Sequence, residues 1–238
     1  MKFTNNLRHI VLLLFLSLSG QAALAINTDR LDVKRFIDSM VLKHEYDRKT
    51  LVSLLREAKT QTTILEAISR PAEKIKSWNE YRAIFLTNRR IKAGVDFWIN
   101  HQSELQKISN ETGVPCEILV GIIGVETSFG SFTGGYRVLD ALSTLTFDYK
   151  PRASFFRREL EEFLLLVREE NIEASEATGS YAGAMGLPQF MPSSFRAYAV
   201  DSNADGKRNI WTNWTRPNVV WVQFFQRHGN LRKHRVGR

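Results

Sequence analysis

Glu126 is the residue whose surroundings most favour chemistry. It follows an apolar run at 118–125, and in a helix it would share a face with Leu119, Ile122 and Ile123. A carboxyl group among apolar neighbours tends to keep its proton. Gly130 marks the helix end, where the negative end of the dipole disfavours the anion further. A carboxyl protonated near neutral pH suits general acid catalysis, whereas most buried glutamates are salt-bridged structural residues.

A second carboxylate would normally accompany such an acid in a glycosidase. By position the candidates are Asp140 and Asp148. Asp140 lies near a predicted helix start and Asp148 in a predicted turn, and neither stands in an unusual setting. A mechanism with a single acid therefore has to be considered.

Residues 179–194 form a segment rich in small residues, which let the backbone approach a ligand closely. Within it, Ser180 and Gln189 offer donors and acceptors suited to sugar hydroxyl and N-acetyl groups. Phe190 and Met191 offer apolar platforms. A tight Gly/Pro turn between helices would have the same composition.

Residues 201–212 match the opening of a calcium-binding loop. Oxygen ligands stand at its positions 1, 3, 5 and 7, namely Asp201, Asn203, Asp205 and the carbonyl of Lys207. Gly206 fits position 6, but Thr212 replaces the bidentate glutamate of position 12. The pattern favours a weak calcium site over the alternative of a polar turn.

The elements that must position these residues are helical. Apolar residues recur every three or four positions, which predicts a mainly α protein. The predicted helical segments are 32–43, one capped by Asp47, 63–68, a long amphipathic stretch at 78–108, 116 to about 129, 137–145, 152–170 and one opened by Pro188 or Pro192. Residues 113–115 break the pattern before the Glu126 helix. The chain reads as one helical unit with an N-terminal subdomain that ends near Arg70.

The first 25 residues resemble a secretory signal, and a membrane anchor or buried helix fits them less well. Lys2 and Arg8 precede a short apolar segment at 10–18, and small residues stand at 23 and 25. No cysteine follows that would carry a lipid anchor. Cys116 is the only cysteine, which excludes an intramolecular disulfide and suggests a small core residue.

The net charge of +8, about +6 without the signal segment, suits an anionic partner such as cell-wall polymer, anionic lipid or nucleic acid. The basic residues are scattered and form no arginine-rich arm, which argues against nucleic acid. A merely solvated positive surface explains the charge equally well.

Three motifs together carry a family resemblance. They are Gly-Val-Glu-Thr-Ser-Phe-Gly at 124–130, Arg-Val-Leu-Asp-Ala-Leu-Ser-Thr-Leu at 137–145 and Gly-Ala-Met-Gly-Leu-Pro-Gln-Phe-Met-Pro-Ser-Ser at 183–194. From Asp32 to Trp211 the chain resembles the membrane-bound lytic transglycosylase B family. The resemblance implies a lysozyme-like helical core and an EF-hand-like loop at 201–212.

The resemblance also implies cleavage of peptidoglycan glycan strands between N-acetylmuramic acid and N-acetylglucosamine. Glu126 would act alone as acid and then base, and the muramoyl C6 hydroxyl would close on C1 to give a 1,6-anhydro end. No cofactor is required for this chemistry, and calcium would be structural. The expected location is the periplasm, in peripheral contact with the cell wall.

Substrate-binding positions of the family fall on Ser180, Gln189 and Phe190, and more loosely on Arg152 and Phe155. Pro151 departs from the pattern, since an arginine can occur there. A hydrolytic muramidase is the alternative enzyme for this chain.

The resemblance weakens after Trp211. Residues 212–238 form a divergent basic tail, following the signal at 1–25, the N-terminal subdomain at 26–70 and the transglycosylase core at 71–211. An altered reading frame or early termination would explain the tail. A natural short variant whose tail binds anionic wall polymer would explain it too. The non-enzyme alternative for the chain is a truncated, inactive wall-binding remnant.

Overall fold

The computed structural model describes residues 24–70, 77–199, 201 and 206–211. The predicted signal segment up to residue 23, the calcium ligands Asn203 and Asp205, and the basic tail lie outside the described residues.

Helices dominate the described ranges, as the apolar periodicity predicts, and confirm the mainly α class. They are α1 (Leu31–His44), α2 (Arg48–Glu57), α3 (Thr62–Ser69), α4 (Trp78–Phe85), α5 (Asn88–Asn100), α6 (Gln102–Thr112), α7 (Cys116–Thr127), α8 (Val138–Phe147), α9 (Ala153–Glu170) and α10 (Pro192–Tyr198), with a 3-10 turn at Lys150–Arg152. Two antiparallel pairs of two-residue strands complete them, β1 (Leu24–Ala25) with β2 (Lys59–Thr60) and β3 (Tyr136–Arg137) with β4 (Thr178–Gly179).

The N-terminal helices follow their local signals closely. The buried residues of α1 recur at helical spacing: Val33, Phe36, Ile37 and Met40. The Asp47 carboxylate accepts from the backbone N–H of Thr50 at 2.8 Å and caps α2 as predicted.

The amphipathic stretch predicted from Trp78 to Ile108 is divided among three helices. Ser77 and Glu80 form a capping box at the start of α4. The hydroxyl of Thr87 accepts from the backbone N–H of Arg90 at 3.2 Å and begins α5. His101 separates α5 from α6. Local caps therefore interrupt a continuous apolar pattern.

The main core surrounds α8, whose ten residues are all buried. Side chains from α1, α2, α3, α9 and α10 contribute to this cluster, as does Ile210. The described part of the N-terminal segment thus packs into the same core as α8 and α9. The predicted domain boundaries stay predictions.

A second, smaller apolar cluster joins α6 and α7, with α5 packed against it. Its buried members are Leu105, Ile108, Val114, Leu119 and Val120. The helix that carries Glu126 is therefore held by α5 and α6 rather than by the main core. Across the described ranges no single helix is long and apolar enough to cross a membrane, and only α6 and α7 together, bent by 113°, reach that length and composition.

Candidate active site

Glu126 occupies the last turn of α7, one residue before the helix ends at Thr127. Leu119 and Ile123 are buried on the same helix as predicted. Glu126 itself is exposed among the described residues, so its predicted burial within the apolar face is wrong. Gly124 and Thr127 of the same turn are buried, so Glu126 lies with Val125 on the exposed side of the helix end.

The carboxyl of Glu126 is nevertheless crowded by protein atoms. This desolvation raises the pKa of Glu126 above the ordinary glutamate value of 4.5. Within the described part of the chain, the carboxyl makes no hydrogen bond or ion pair that would stabilise its anion. It is therefore an unpaired carboxyl at an open surface that holds its proton to a higher pH than an ordinary glutamate does.

The loop after α7 has an unusual backbone. Ser128, Phe129 and Gly130 have φ values of 51°, 60° and 81°, three successive left-handed residues of which only one is glycine. Such conformations cost free energy and persist where surrounding contacts enforce them.

The ring of Phe129 supplies one of these contacts. It lies against Gly94 of α5 and Gly124 of α7, where an added Cβ would come within 2.9 and 2.7 Å of its Cζ atom. Because both helices carry glycine at the contact, the ring fits between them and fixes the chain direction just beyond Glu126.

The loop at 130–135 lies against the small-residue segment at 179–190. A Cβ on Gly134, whose φ is 94°, would come within 2.1 Å of the Gly179 carbonyl oxygen and 2.5 Å of the Ser180 nitrogen. The Nε2 atom of Gln189 donates to the carbonyls of Thr133 at 3.0 Å and Gly186 at 2.9 Å. The structure thus brings Ser180 and Gln189 to the loop that follows Glu126.

Ser180 organises its own turn. Its hydroxyl oxygen accepts from the backbone N–H groups of Ala182 at 3.3 Å and Ala184 at 3.1 Å. The hydroxyl proton remains to donate outward. Beside it, Tyr181 is 40% exposed. Motif reasoning did not select Tyr181, although an aromatic residue in a small-residue loop is a signal for carbohydrate contact.

The side chains of the other three predicted substrate-binding residues pack elsewhere. Phe190 is only 3% exposed and packs into the main core, while its backbone pairs with Met185. The guanidinium of Arg152 lies 4.3 Å from the ring centroid of Phe155 at the start of α9. No hydrogen bond or ion pair in the described ranges joins these two residues to the loops around Glu126.

The two alternative carboxylates are both engaged in structural contacts. Asp140 is 3% exposed and accepts from Arg137, from the backbone N–H of Lys59 at 2.9 Å and from Gln61. Asp148 pairs with Arg30 at 2.6 Å and accepts from Thr60. Both attach the N-terminal segment to α8, so neither is free to act as a second catalytic group.

The described part of the predicted calcium loop has the shape of its opening. The Asp201 carboxylate accepts from the backbone N–H of Gly206 at 2.7 Å, and Gly206 has a φ of 80°. Among the residues the structure describes, no three acidic, histidine or cysteine side chains form a metal cluster. The segment that follows is attached to the small-residue segment, because the Ile210 carbonyl accepts from Leu187 and the indole N–H of Trp211 donates to the Thr178 carbonyl.

Comparison with known proteins finds related sequences and structures. The family model described as "Transglycosylase SLT domain" matches residues 29–238. The chain is 41% identical over 214 residues to the membrane-bound lytic murein transglycosylase B of Escherichia coli K12, covering 86% of the chain and 59% of that relative.

Two solved structures are also similar. The soluble lytic transglycosylase SltB1 from Pseudomonas aeruginosa is 55% identical with a TM-score of 0.79, over 82% of this chain and 66% of that one. The Escherichia coli lytic transglycosylase Slt35 in complex with calcium is 40% identical with a TM-score of 0.80, over 87% and 66%. The chain thus spans somewhat less than two thirds of these relatives.

Proposed function

Because the chain belongs to the transglycosylase SLT domain family, we propose that it is a peptidoglycan lytic transglycosylase with Glu126 as its single acid and base. The observation that carries this proposal is the unpaired carboxyl of Glu126, whose pKa is raised by desolvation, beside the loop that binds Gln189. The substrate would be the β-1,4 bond between N-acetylmuramic acid and N-acetylglucosamine.

The proposed reaction needs one carboxyl in two states. Protonated Glu126 donates its proton to the glycosidic oxygen as the bond to C1 breaks, which releases the 4-hydroxyl of N-acetylglucosamine. The resulting carboxylate takes the proton of the muramoyl C6 hydroxyl while O6 bonds to C1. The products are a 1,6-anhydro end and a regenerated acid, and no water is consumed. The structural engagement of Asp140 and Asp148 supports this single-carboxyl scheme.

Gln189 and Ser180 are proposed to orient the sugar. Both Nε2 protons of Gln189 are used within the protein, which leaves Oε1 to accept from an acetamido N–H. The hydroxyl proton of Ser180 is available to a sugar oxygen. Arg152 and Phe155 would contact more distant parts of the strand. Phe190, buried in the core, would act by holding the loop.

A hydrolytic muramidase is the second candidate, favoured by the exposure of Glu126. Water reaching C1 from the open side would give a reducing end in place of the anhydro end. Only the nucleophile distinguishes the two reactions.

Calcium is proposed as a structural ion held by Asp201, Asn203, Asp205 and the carbonyl of Lys207. The turn at Gly206 fits such a loop, and the segment that follows it hydrogen-bonds to the site loop at Leu187. Calcium would therefore raise the melting temperature. An equal melting temperature in calcium and in EDTA would contradict the site.

The proposed location is the periplasm, where murein lies, after export by residues 1–25. Fractionation of cells that produce the full chain would test this. Recovery of the protein in the cytoplasmic fraction with its first residues uncleaved would contradict it.

The activity is tested by incubating purified murein with the protein and with two variants, Glu126→Gln and Glu117→Gln. Glu117 is an exposed glutamate at the other end of the same helix and provides a matched control. We expect soluble products with anhydro ends, a mass 18 Da below the reducing form, from wild type and Glu117→Gln alone. Reducing ends would identify a muramidase, and equal release by Glu126→Gln would remove Glu126 from its role.

A further inference from the structure

A cleft of about 450 Å³ lies directly beside the end of α7, between the start of α5 and the loop after Glu126. Its polar lining consists of Thr87, Arg89, Arg90, Ser128 and Ser131, and the exposed ring of Phe132 adds an apolar wall. Two arginines and three hydroxyls without an acidic residue among them make a cleft suited to an anion.

Arg90 is the most informative residue of this cleft. Its Nη1 atom is buried and has no hydrogen-bond partner. The guanidinium stacks over the ring of Phe85, with Cζ 5.2 Å from the centroid, which fixes its position. A buried guanidinium N–H without an acceptor is costly, so an acceptor supplied by a ligand would be bound favourably.

The electrostatics of the cleft point in the same direction. Neither Arg89 nor Arg90 forms a salt bridge with any carboxylate in the described ranges. Both lie in the first turn of the 13-residue helix α5, whose positive dipole end adds to their charge. An anionic group in the cleft would therefore meet two unpaired cations and a helix N-terminus together.

One side of the cleft is formed by residues that closely follow the proposed catalytic residue in the chain. Ser128 is two residues beyond Glu126, and the packing of Phe129 between α5 and α7 fixes the distance between the Arg90 helix and the Glu126 helix. Groups carried by the sugars next to the scissile bond are therefore the candidate ligands of this cleft. The only anionic groups of a murein strand are carboxylates, carried by the peptide stem or, where the stem is missing, by the lactyl arm of muramic acid.

We propose that Arg89 and Arg90, with Ser128 and Ser131, bind a carboxylate carried by the muramoyl residue next to the cleaved bond. This inference rests on the proposed function and adds a recognition site for the charged substituent of the sugar. The Arg90 guanidinium forms the buried contact, and Arg89 supplies charge at the cleft rim.

The test measures binding of the full chain to insoluble murein by co-sedimentation. All proteins carry Glu126→Gln so that the polymer stays intact. Arg90→Gln and Arg89→Gln are compared with Arg158→Gln, which removes the same charge from an exposed site on α9. Two polymers are used, namely intact murein and murein stripped of its stems by an amidase, which exposes the lactyl carboxylate.

We expect Arg90→Gln to weaken binding to intact murein about tenfold, the loss of one charge-assisted contact, and Arg89→Gln to weaken it less. Arg158→Gln should bind like the parent. A loss confined to intact murein identifies the stem as the only carboxylate source, and a loss on both polymers shows that the cleft also binds the lactyl carboxylate that the amidase exposes.

Two results would overturn the inference. If Arg90→Gln and Arg89→Gln both bind intact murein as tightly as Arg158→Gln while wild type cleaves murein, the cleft is wrong and the proposed function stands. If the wild-type chain neither binds nor cleaves murein, both fail together. If Arg90→Gln does not fold, the binding of Arg89→Gln tests the inference. Arg89 is exposed, so its replacement leaves no buried group unpaired.

Discussion

The side-chain amide of Gln189 donates to the backbone carbonyl of Thr133 across a 3.0 Å contact, joining two loops that are 56 residues apart in sequence. Gln189 has a left-handed backbone, with a φ of 51°, and the same Nε2 atom also donates to Gly186. One side chain therefore connects the loop after Glu126 to the small-residue segment that carries Ser180.

Replacing Gln189 with leucine removes both hydrogen bonds and the proposed acetamido acceptor. We expect the free energy of unfolding to fall by about 1–2 kcal/mol. Release of soluble muropeptides should fall about tenfold, corresponding to one lost substrate hydrogen bond. Urea unfolding and murein digestion measure the two effects. Gln106→Leu is the control, since Gln106 makes one exposed contact to Asn110 on α6. Equal digestion by both variants would contradict the role of Gln189.

Gly134 offers a sharper test of the contact between the same two loops. A Cβ at this position would come within 2.1 Å of the Gly179 carbonyl oxygen, and the φ of 94° disfavours any L side chain. Gly134→Ala should therefore lower the free energy of unfolding by about 3 kcal/mol or more and displace Ser180.

Gly135→Ala is the matched control, because a Cβ there meets nothing within 4 Å. Thermal or urea denaturation of the two variants gives the comparison. If Gly134→Ala were as stable as Gly135→Ala, the close approach of the two loops would be incorrect.

Local signals in the sequence were sufficient for much of the fold. The helical spacing in α1 and the Asp47 cap of α2 depend on neighbouring residues, and the structure has both. The break at residues 113–115 also follows from local backbone preferences, and Gly113 adopts a φ of 74°. The division of the amphipathic stretch at 78–108 was not predicted, because the Thr87 cap and the break at His101 compete with an apolar pattern that continues through them.

The candidate site was harder to predict because its environment depends on distant segments. Periodicity placed Glu126 on the face of Leu119 and Ile123, but the burial of each position at the helix end depends on the distant segments packed there, and Thr127 is buried while Glu126 is exposed. The engagement of Asp140 by Lys59 is likewise invisible in sequence, since 81 residues separate them. Motif resemblance located Gln189, whereas its contact with Thr133 required the structure.

Asp140→Asn separates the structural role of this residue from a catalytic one. The buried carboxylate accepts from Arg137 through both oxygens, and an amide would turn a donor toward these groups. We expect the free energy of unfolding to fall by about 3 kcal/mol, as when one partner of a buried ion pair is removed. The protein that remains folded should still release muropeptides.

Asp96→Asn serves as the control for Asp140→Asn, because Asp96 pairs with Lys92 at the surface of α5. Its change in stability should stay below about 0.5 kcal/mol. Unfolding curves and digestion at a temperature where each variant is folded give both readings. Loss of cleavage by fully folded Asp140→Asn would make Asp140 a second catalytic carboxylate.

The raised pKa of Glu126 predicts how activity changes with pH. As the acid, Glu126 must hold its proton, so the rate of muropeptide release should fall as pH rises through its raised pKa. An enzyme whose catalytic glutamate had an unperturbed pKa would lose activity at a lower pH, near 4.5. A pH–rate profile on soluble murein fragments measures the position of this limb. If the rate instead falls at or below the ordinary glutamate pKa, desolvation does not raise the pKa of the catalytic group.

The same shift predicts a stability difference whose sign can be worked out. Desolvation raises the pKa of folded Glu126 above its unfolded value of 4.5, so between these two values the folded state holds a proton that the unfolded state has released. Stability therefore falls as pH rises through this window and stays lower above it. Because the side chain is exposed, solvent screening keeps the effect small.

Glu126→Gln cannot ionise, so it should equal wild type in unfolding midpoint at pH 4 and exceed it at pH 7. Glu117→Gln, on the same helix, controls for the amide substitution. A Glu126→Gln protein that is less stable than wild type at pH 7 would mean that the carboxylate makes a stabilising contact, and the case for an unpaired acid would fail.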